Sequence, residues 1–214
     1  LSVGKAIEKR HLVIENKEYQ HNLELLVEER TNDLRKALQQ LKHSYDMTLQ
    51  ALVTALDARE RETGNHSQRV SMYSVVLAKE MGLSAARFQD LSTGALLHDI
   101  GKLGIPDSIL LKPGDLTEEE WRLMRRHPEI GRDILKDIDF LEPAVGVVLN
   151  HHEHWDGSGY PSGLKGEGIP QGARIFLVVD AFDTITTDRP YRAAMTFDEA
   201  CEELRRCRGS QFDP

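Results

Sequence analysis

The chain has 214 residues, enough for one ordinary domain plus an appendage, and 40% of them are apolar, enough to bury a core. A net charge of -8 argues against nonspecific binding to nucleic acid or to an anionic membrane; an anionic substrate would need local cations, either metals or particular Lys and Arg side chains. Two cysteines, Cys201 and Cys207, form no zinc or redox pattern and point to a reducing compartment, taken as the cytoplasm. No apolar run approaches the length of a membrane span, and no signal peptide opens the chain. The chain starts at Leu1 rather than Met, which reads as a fragment whose upstream part is missing.

From about residue 5 to residue 60 there is no Pro and no Gly, and Glu, Lys, Arg, Gln and Leu dominate. Val27, Leu34 and Leu41 recur at seven, with Leu23, Leu26, Leu38, Tyr45, Leu49 and Leu52 near the same stripe. The pattern predicts a long amphipathic helix: either a two-stranded coiled coil or a helix packed on its own domain. Arg30 and Ser44 interrupt the alternate seam positions. From Met47 the helix turns more apolar and should enter a globular domain, ending near Glu62-Thr63-Gly64.

A second helix is expected from His66 to Met81, closed by Gly82. Ser84 is a plausible N-cap for a third, running to His98. Ile105 to Leu116, with Pro106, Pro113 and Gly114, reads as a loop. Thr117 to Glu120 is a capping box opening a helix that reaches His127-Pro128. Further helices are expected over Glu129 to Leu135 and Pro143 to His151. Asp156 to Gly172 holds six glycines and two prolines, a loop long enough to suggest function. Ala173 to Thr187 returns to an apolar helix, and Thr196 with Glu199 caps a last one running past Cys207. Strands are not evident; the expected class is all-α.

Ligand-type residues cluster in this order. His98 and Asp99 sit side by side after an apolar helix, and Lys102 returns to the same face if that helix continues. Glu62 and His66 are four apart, His127 precedes a proline, and His151-His152 form a second pair. Asp180 lies among Leu177, Val178, Val179, Ala181 and Phe182, and a buried carboxylate there needs a cation or a hydrogen-bond partner. Five His and three acidic residues exceed one closed zinc site. They suit two or three divalent metals with mixed nitrogen and oxygen ligands, iron or manganese rather than thiolate zinc. Two such metals can share a hydroxide nucleophile and bind both sides of a phosphate, with Asp99 as bridge and Lys102 offsetting phosphate charge. Asp183, three after Asp180, reads as support or cap rather than ligand.

Glu62-Thr63-Gly64-Asn65-His66, His98-Asp99-Ile100-Gly101-Lys102, His127-Pro128, the run from His151 through Trp155-Asp156-Gly157-Ser158-Gly159-Tyr160-Pro161, Asp180, and Asp188-Arg189-Pro190-Tyr191-Arg192 together resemble the HD-GYP subgroup of HD-superfamily phosphohydrolases. The likeness spans about Leu49 to Pro214. It implies an all-α HD-domain bundle over 49–214, after a helical connector over 1–48, and hydrolysis of cyclic di-GMP to pGpG and on to GMP. It implies His66, His98, Asp99, His127, His151, His152 and Asp180 as metal ligands, with Glu62 marking a three-metal site. Asp99 and Lys102 would serve catalysis, and Lys102, Arg189, Arg192 and Tyr160 would bind substrate. The Gly-Tyr-Pro loop implies contact with a diguanylate cyclase, and the connector a homodimer under an N-terminal sensor or receiver domain, as in bacterial two-component signalling. Cyclic GMP-AMP as substrate, or a non-catalytic binding module, stand as alternatives.

Overall fold

The computed structural model describes residues 3–60, 65–188 and 193–214. The chain divides into two units, Leu1–Leu49 and Gln50–Pro214. One helix, α1 (Val3–Glu60), runs through the first and into the second. Nothing in α1 breaks it: it lacks Pro, and its one Gly lies in the first turn. Along its first unit Leu23, Leu26, Val27, Leu34, Leu38, Leu41 and Tyr45 are all exposed. In the second unit its last two turns bury Val53 and Leu56, each 3% exposed.

The rest of the domain is helical, with no strand among the described residues and a single isolated bridge between Arg208 and Phe212. The helices are α2 (His66–Glu80), α3 (Ala85–Leu97), α4 (Asp107–Leu110), α5 (Glu118–Met124), α6 (His127–Leu135), α7 (Glu142–Asn150), α8 (Gln171–Thr186) and α9 (Phe197–Arg206). The turn between α2 and α3 is a Schellman motif. Gly82 adopts φ 74°, its amide donates to the Lys79 carbonyl, and the Leu83 amide reaches Ala78. Both expected capping boxes form, Thr117 with Glu120 and Thr196 with Glu199. Pro128 and Pro143 sit in the first turns of α6 and α7, where no amide hydrogen is needed.

The core lies where α2, α3, α7 and α8 meet: Val70, Ala78, Leu91, Ala95, Val147, Ile175, Phe176 and Val179. Burying a side chain of this size contributes about 1.5–3 kcal/mol. Phe176 is fully buried, and its ring reaches the site, 4.7 Å from the His98 ring.

Several expectations need correction. Ser84 precedes α3 but makes no side-chain cap. The stretch from Ile105 is not all loop, since Pro106 opens the short helix α4. The helix opened by Thr117 stops at Met124, and His127 begins a separate one. α9 ends at Arg206, one residue before Cys207 rather than past it. Above all, α3 does not continue to Lys102: it ends at Leu97, and a 3-10 turn covers Ile100–Gly104. Three residues per turn still return Lys102 to the Asp99 side, because i and i+3 eclipse.

Candidate metal centre

Helix ends supply most of the donors. His98 and His151 directly follow α3 and α7, His127 opens α6, and His66 opens α2. The last carbonyls of a helix have no amide partner and carry its negative end. Three imidazoles use them. The Nδ1–H of His98 donates to the Ala95 carbonyl at 2.8 Å, that of His127 to Met124 at 2.9 Å, and that of His151 to Val148 at 2.7 Å. A carbonyl only accepts, so Nδ1 must carry the hydrogen, and in the neutral ring the Nε2 lone pair is left facing the pocket. His66 is oriented by a carboxylate instead, with Asp183 Oδ2 2.7 Å from its Nδ1. Arg69 in turn donates to Asp183 Oδ1 at 2.7 Å.

The freed nitrogens gather in two groups. His127, His151 and His152 bring their ligand atoms within 4.8 Å of one another, and His66, His98 and Asp180 do the same. Asp99 stands between them. Its Oδ2 is 2.9 Å from His98 Nε2, while its Oδ1 is 3.3 Å from His127 Nε2 and 3.9 Å from His151 Nε2. The Nε2 atoms of His127 and His151 lie only 3.1 Å apart. Both rings spend their one hydrogen on a backbone carbonyl, so two lone pairs confront each other unless a cation lies nearby. Seven donors from five segments, two of them behind helix C-termini, fit divalent cations.

The titration directions agree with that fit. Burial depresses His151 well below the ordinary imidazole range, and the neighbouring imidazoles add to it. The same causes push His152 down to about 3. Both therefore present lone pairs at neutral pH. For His98 burial is outweighed by the Asp99 carboxylate, and its pKa rises. Asp99 is held well below the usual carboxylate range against its burial, by His98 and Lys102. Asp180 is lowered against burial by His66 and His98.

Lys102 completes this side of the pocket, its ammonium donating to Asp99 Oδ2 at 2.8 Å and to Glu60 Oε2 at 2.7 Å. Its turn can pack so closely because residue 101 is glycine: a Cβ there would lie 1.8 Å from the His127 carbonyl oxygen. The Gly-Tyr-Pro loop closes another side. The Tyr160 ring stacks on His152 at 4.6 Å, and Tyr160-Pro161 is cis. Glu153, 1% exposed, accepts from the Ser162 and Leu164 amides and ties that loop down. Gly159 is required by the same packing, since a Cβ would meet His154 N at 2.3 Å.

The structure thus brings together His66, His98, Asp99, Lys102, His127, His151, His152, Tyr160 and Asp180. Glu62, Arg189 and Arg192 lie outside the described residues. Sequence reasoning missed Glu60, Arg69, Arg125 and Glu153. Arg69 had a faint signal, three after His66 on one helix face. Arg125, 5.5 Å from the Tyr160 ring and 5.8 Å from Trp121, had none.

Residues 50–214 match the HD domain family model. The chain belongs to the HD domain family. Among curated relatives, it is 44% identical over 169 residues to the cyclic di-GMP phosphodiesterase response regulator RpfG of Xanthomonas campestris pv. campestris, covering 78% of this chain and 45% of that protein. It is 39% identical over 195 residues to a 3'3'-cGAMP-specific phosphodiesterase of Vibrio cholerae, covering 90% and 35%. A cyclic di-GMP phosphodiesterase of Thermotoga maritima is 42% identical over 168 residues, covering 78% and 46%. The chain therefore spans less than half the length of each. The HD domain fold also resembles the crystal structure of a cyclic GMP-AMP specific phosphodiesterase from V. cholerae, with TM-score 0.61 and 24% identity over 78% of this chain and 45% of that one. An HDG"Y"P protein from Bdellovibrio bacteriovorus gives TM-score 0.56 at 25% identity, over 69% and 47%. No described helix is long and apolar enough to cross a membrane.

Proposed function

We propose that this HD domain is a metal-dependent phosphodiesterase that hydrolyses cyclic di-GMP to pGpG and GMP. The observation that carries the reading is Asp99, set between two three-donor groups with Lys102 on its flank. His66, His98, Asp99, His127, His151, His152 and Asp180 would hold two divalent ions, iron or manganese, and Glu62 a third. Such ions supply Lewis acidity: they polarise phosphoryl oxygens and lower the pKa of water.

The protein's own groups do the rest. The helix-end carbonyls fix each imidazole in the tautomer that offers Nε2 to the pocket. Lys102 places positive charge beside Asp99, where a scissile phosphate would bind and where its departing oxygen gains charge. Tyr160, stacked on His152 under the Arg125 guanidinium, offers a flat wall and a cation at the site. Such a wall suits a guanine base, and the cation a second phosphate. We assign Arg189 and Arg192 to substrate phosphate and guanine by their motif.

The connector over 1–48 we read as a two-stranded homodimeric coiled coil transmitting from a sensor or receiver domain. Its exposed seam of Val27, Leu34, Leu38, Leu41 and Tyr45 favours this. The Gly-Tyr-Pro loop is the surface we assign to a diguanylate cyclase partner.

Anaerobically purified chain loaded with ferrous iron or manganese should turn cyclic di-GMP into pGpG and GMP. Full metal loading without turnover would reject the reading. A second reading, cyclic GMP-AMP as substrate, is favoured by the 39% identity to the V. cholerae enzyme named for it. Rates on the two dinucleotides measured side by side decide between them.

A further inference from the structure

Lys102 is gripped at both ends by two consecutive residues of α1. Arg59 Nη1 donates to the Lys102 carbonyl at 2.9 Å. The same guanidinium reaches the Ile105 carbonyl at 2.7 Å and Asp107 Oδ1 at 2.7 and 2.9 Å. It thereby ties the 3-10 turn to the start of α4. Glu60 Oε2 takes the ammonium of the same lysine at 2.7 Å. The Glu60 side chain is 9% exposed and that of Lys102 17%, so this contact is poorly screened by water.

An ammonium has three hydrogens to donate. Asp99 and Glu60 take two, on sides set by the protein, leaving one for a third acceptor such as a phosphate oxygen. If Glu60 were absent, the ammonium would lean fully on Asp99. That would draw charge from the carboxylate that serves both donor groups.

We propose that Glu60, with Arg59, is a positioning residue for the reaction: it divides Lys102 between Asp99 and the substrate phosphate, and makes the last turn of α1 part of the site. This rests on the phosphodiesterase reading above. Glu60 touches no reacting atom; it acts through Lys102.

The test uses the full metal-loaded chain and the variants E60A, E60Q, K102A and E60A/K102A. E60A should lower kcat by roughly 10–100-fold, the scale typical of outer-shell partners, with KM changed less than about threefold and metal content unchanged. E60Q, which keeps the hydrogen-bond acceptor, should recover most of that loss. In the K102A background E60A should cost less than about threefold, because two residues acting through one interaction are not additive. Independently of turnover, competitive acetylation read by peptide mass spectrometry should label Lys102 several times faster in E60A than in the parent, with E60Q between. An E60A loss that persists undiminished in the K102A background would overturn the proposal. So would equal acetylation of Lys102 in the parent and both variants; E60Q alone decides this if E60A does not fold. A parent inert on every cyclic dinucleotide would instead sink the phosphodiesterase reading. Acetylation would then still decide whether Glu60 holds Lys102.

Discussion

The two donor groups flanking Asp99 are built differently. His127, His151 and His152 are all imidazole, and two of the three rings lean on backbone carbonyls at helix ends. His66, His98 and Asp180 include a carboxylate, and His66 leans on a second, Asp183, itself clamped by Arg69. Protonation separates them. His151 and His152 are pushed down by burial and by one another, whereas burial of His98 is overcome by Asp99 and its pKa is raised. His151 and His152 offer neutral lone pairs, with the Asp99 carboxylate close beside them. The other group carries carboxylates of its own. A polar site can be kept open for a cation either by starving it of protons or by lining it with anions, and this pocket uses both around one shared aspartate.

Removing the shared residue should do the most damage. Asp99→Ala takes one oxygen from each group, so both should lose metal and turnover should fall on the order of a thousandfold or more, equivalent to several kcal/mol of transition-state stabilisation. Metal analysis of anaerobic protein beside product assays checks this. If only one ion is lost, Asp99 does not serve both groups.

Asp183→Asn should strike one group alone. It weakens the hold on His66 and leaves His127, His151 and His152 untouched, so roughly 10–100-fold in metal affinity or activity should go, with about half the metal retained. Equal loss from both groups would erase the distinction drawn here.

Glu153→Gln tests the wall rather than the ligands. Its single oxygen can accept from only one of the two loop amides, so one charge-assisted bond, worth about 1.5–3 kcal/mol, is lost. Urea unfolding should show a loss within that range, and KM should rise more than kcat falls.

The gentlest probe is pH, applied to metal-free protein. His152, lowered to about 3 in the fold, binds protons more readily when unfolded, so its neutral burial supports the fold above the unfolded value near 6.5. That support is lost as pH falls from there towards 3. Asp183, lowered to about 2, adds stability above the ordinary carboxylate pKa that is lost as pH drops towards 2. His98 has the opposite sign: its raised pKa favours the fold below 6.5 and gives that up as pH rises through the folded value. Loading metal should carry the His152 loss to still lower pH, because a bound cation excludes the proton in the fold but not in the unfolded chain. Denaturant midpoints against pH, with and without metal, check the sign of each.

Much of this was legible in the chain. The longer helices and both capping boxes follow from spacing and cap chemistry, which are local properties, and the ligand set follows from residue type together with the motif resemblance. Residues that act through distant partners were not legible. Glu60 looks like one more charge in a Glu-rich helix until Lys102, 42 positions on, folds against it. Glu153 reads as a loop acid between histidines, yet it is buried because the chain doubles back to Ser162 and Leu164. Asp183, three after Asp180, reads as support or cap, but its partner His66, 117 residues away, emerges only from the fold.

The sequence by itself determined that this chain is helical, that it carries a set of metal-ligand chemistry, and where the capped helices begin. Periodicity and side-chain type act within a few residues of themselves. Only the tertiary structure decided that α3 stops at Leu97, that Asp99 faces two groups at once, and that α1 ends with its hand on Lys102. Those outcomes depend on which helix ends meet, and on a glycine at position 101 that lets them meet closely. They are set by packing between distant segments, which no local pattern records.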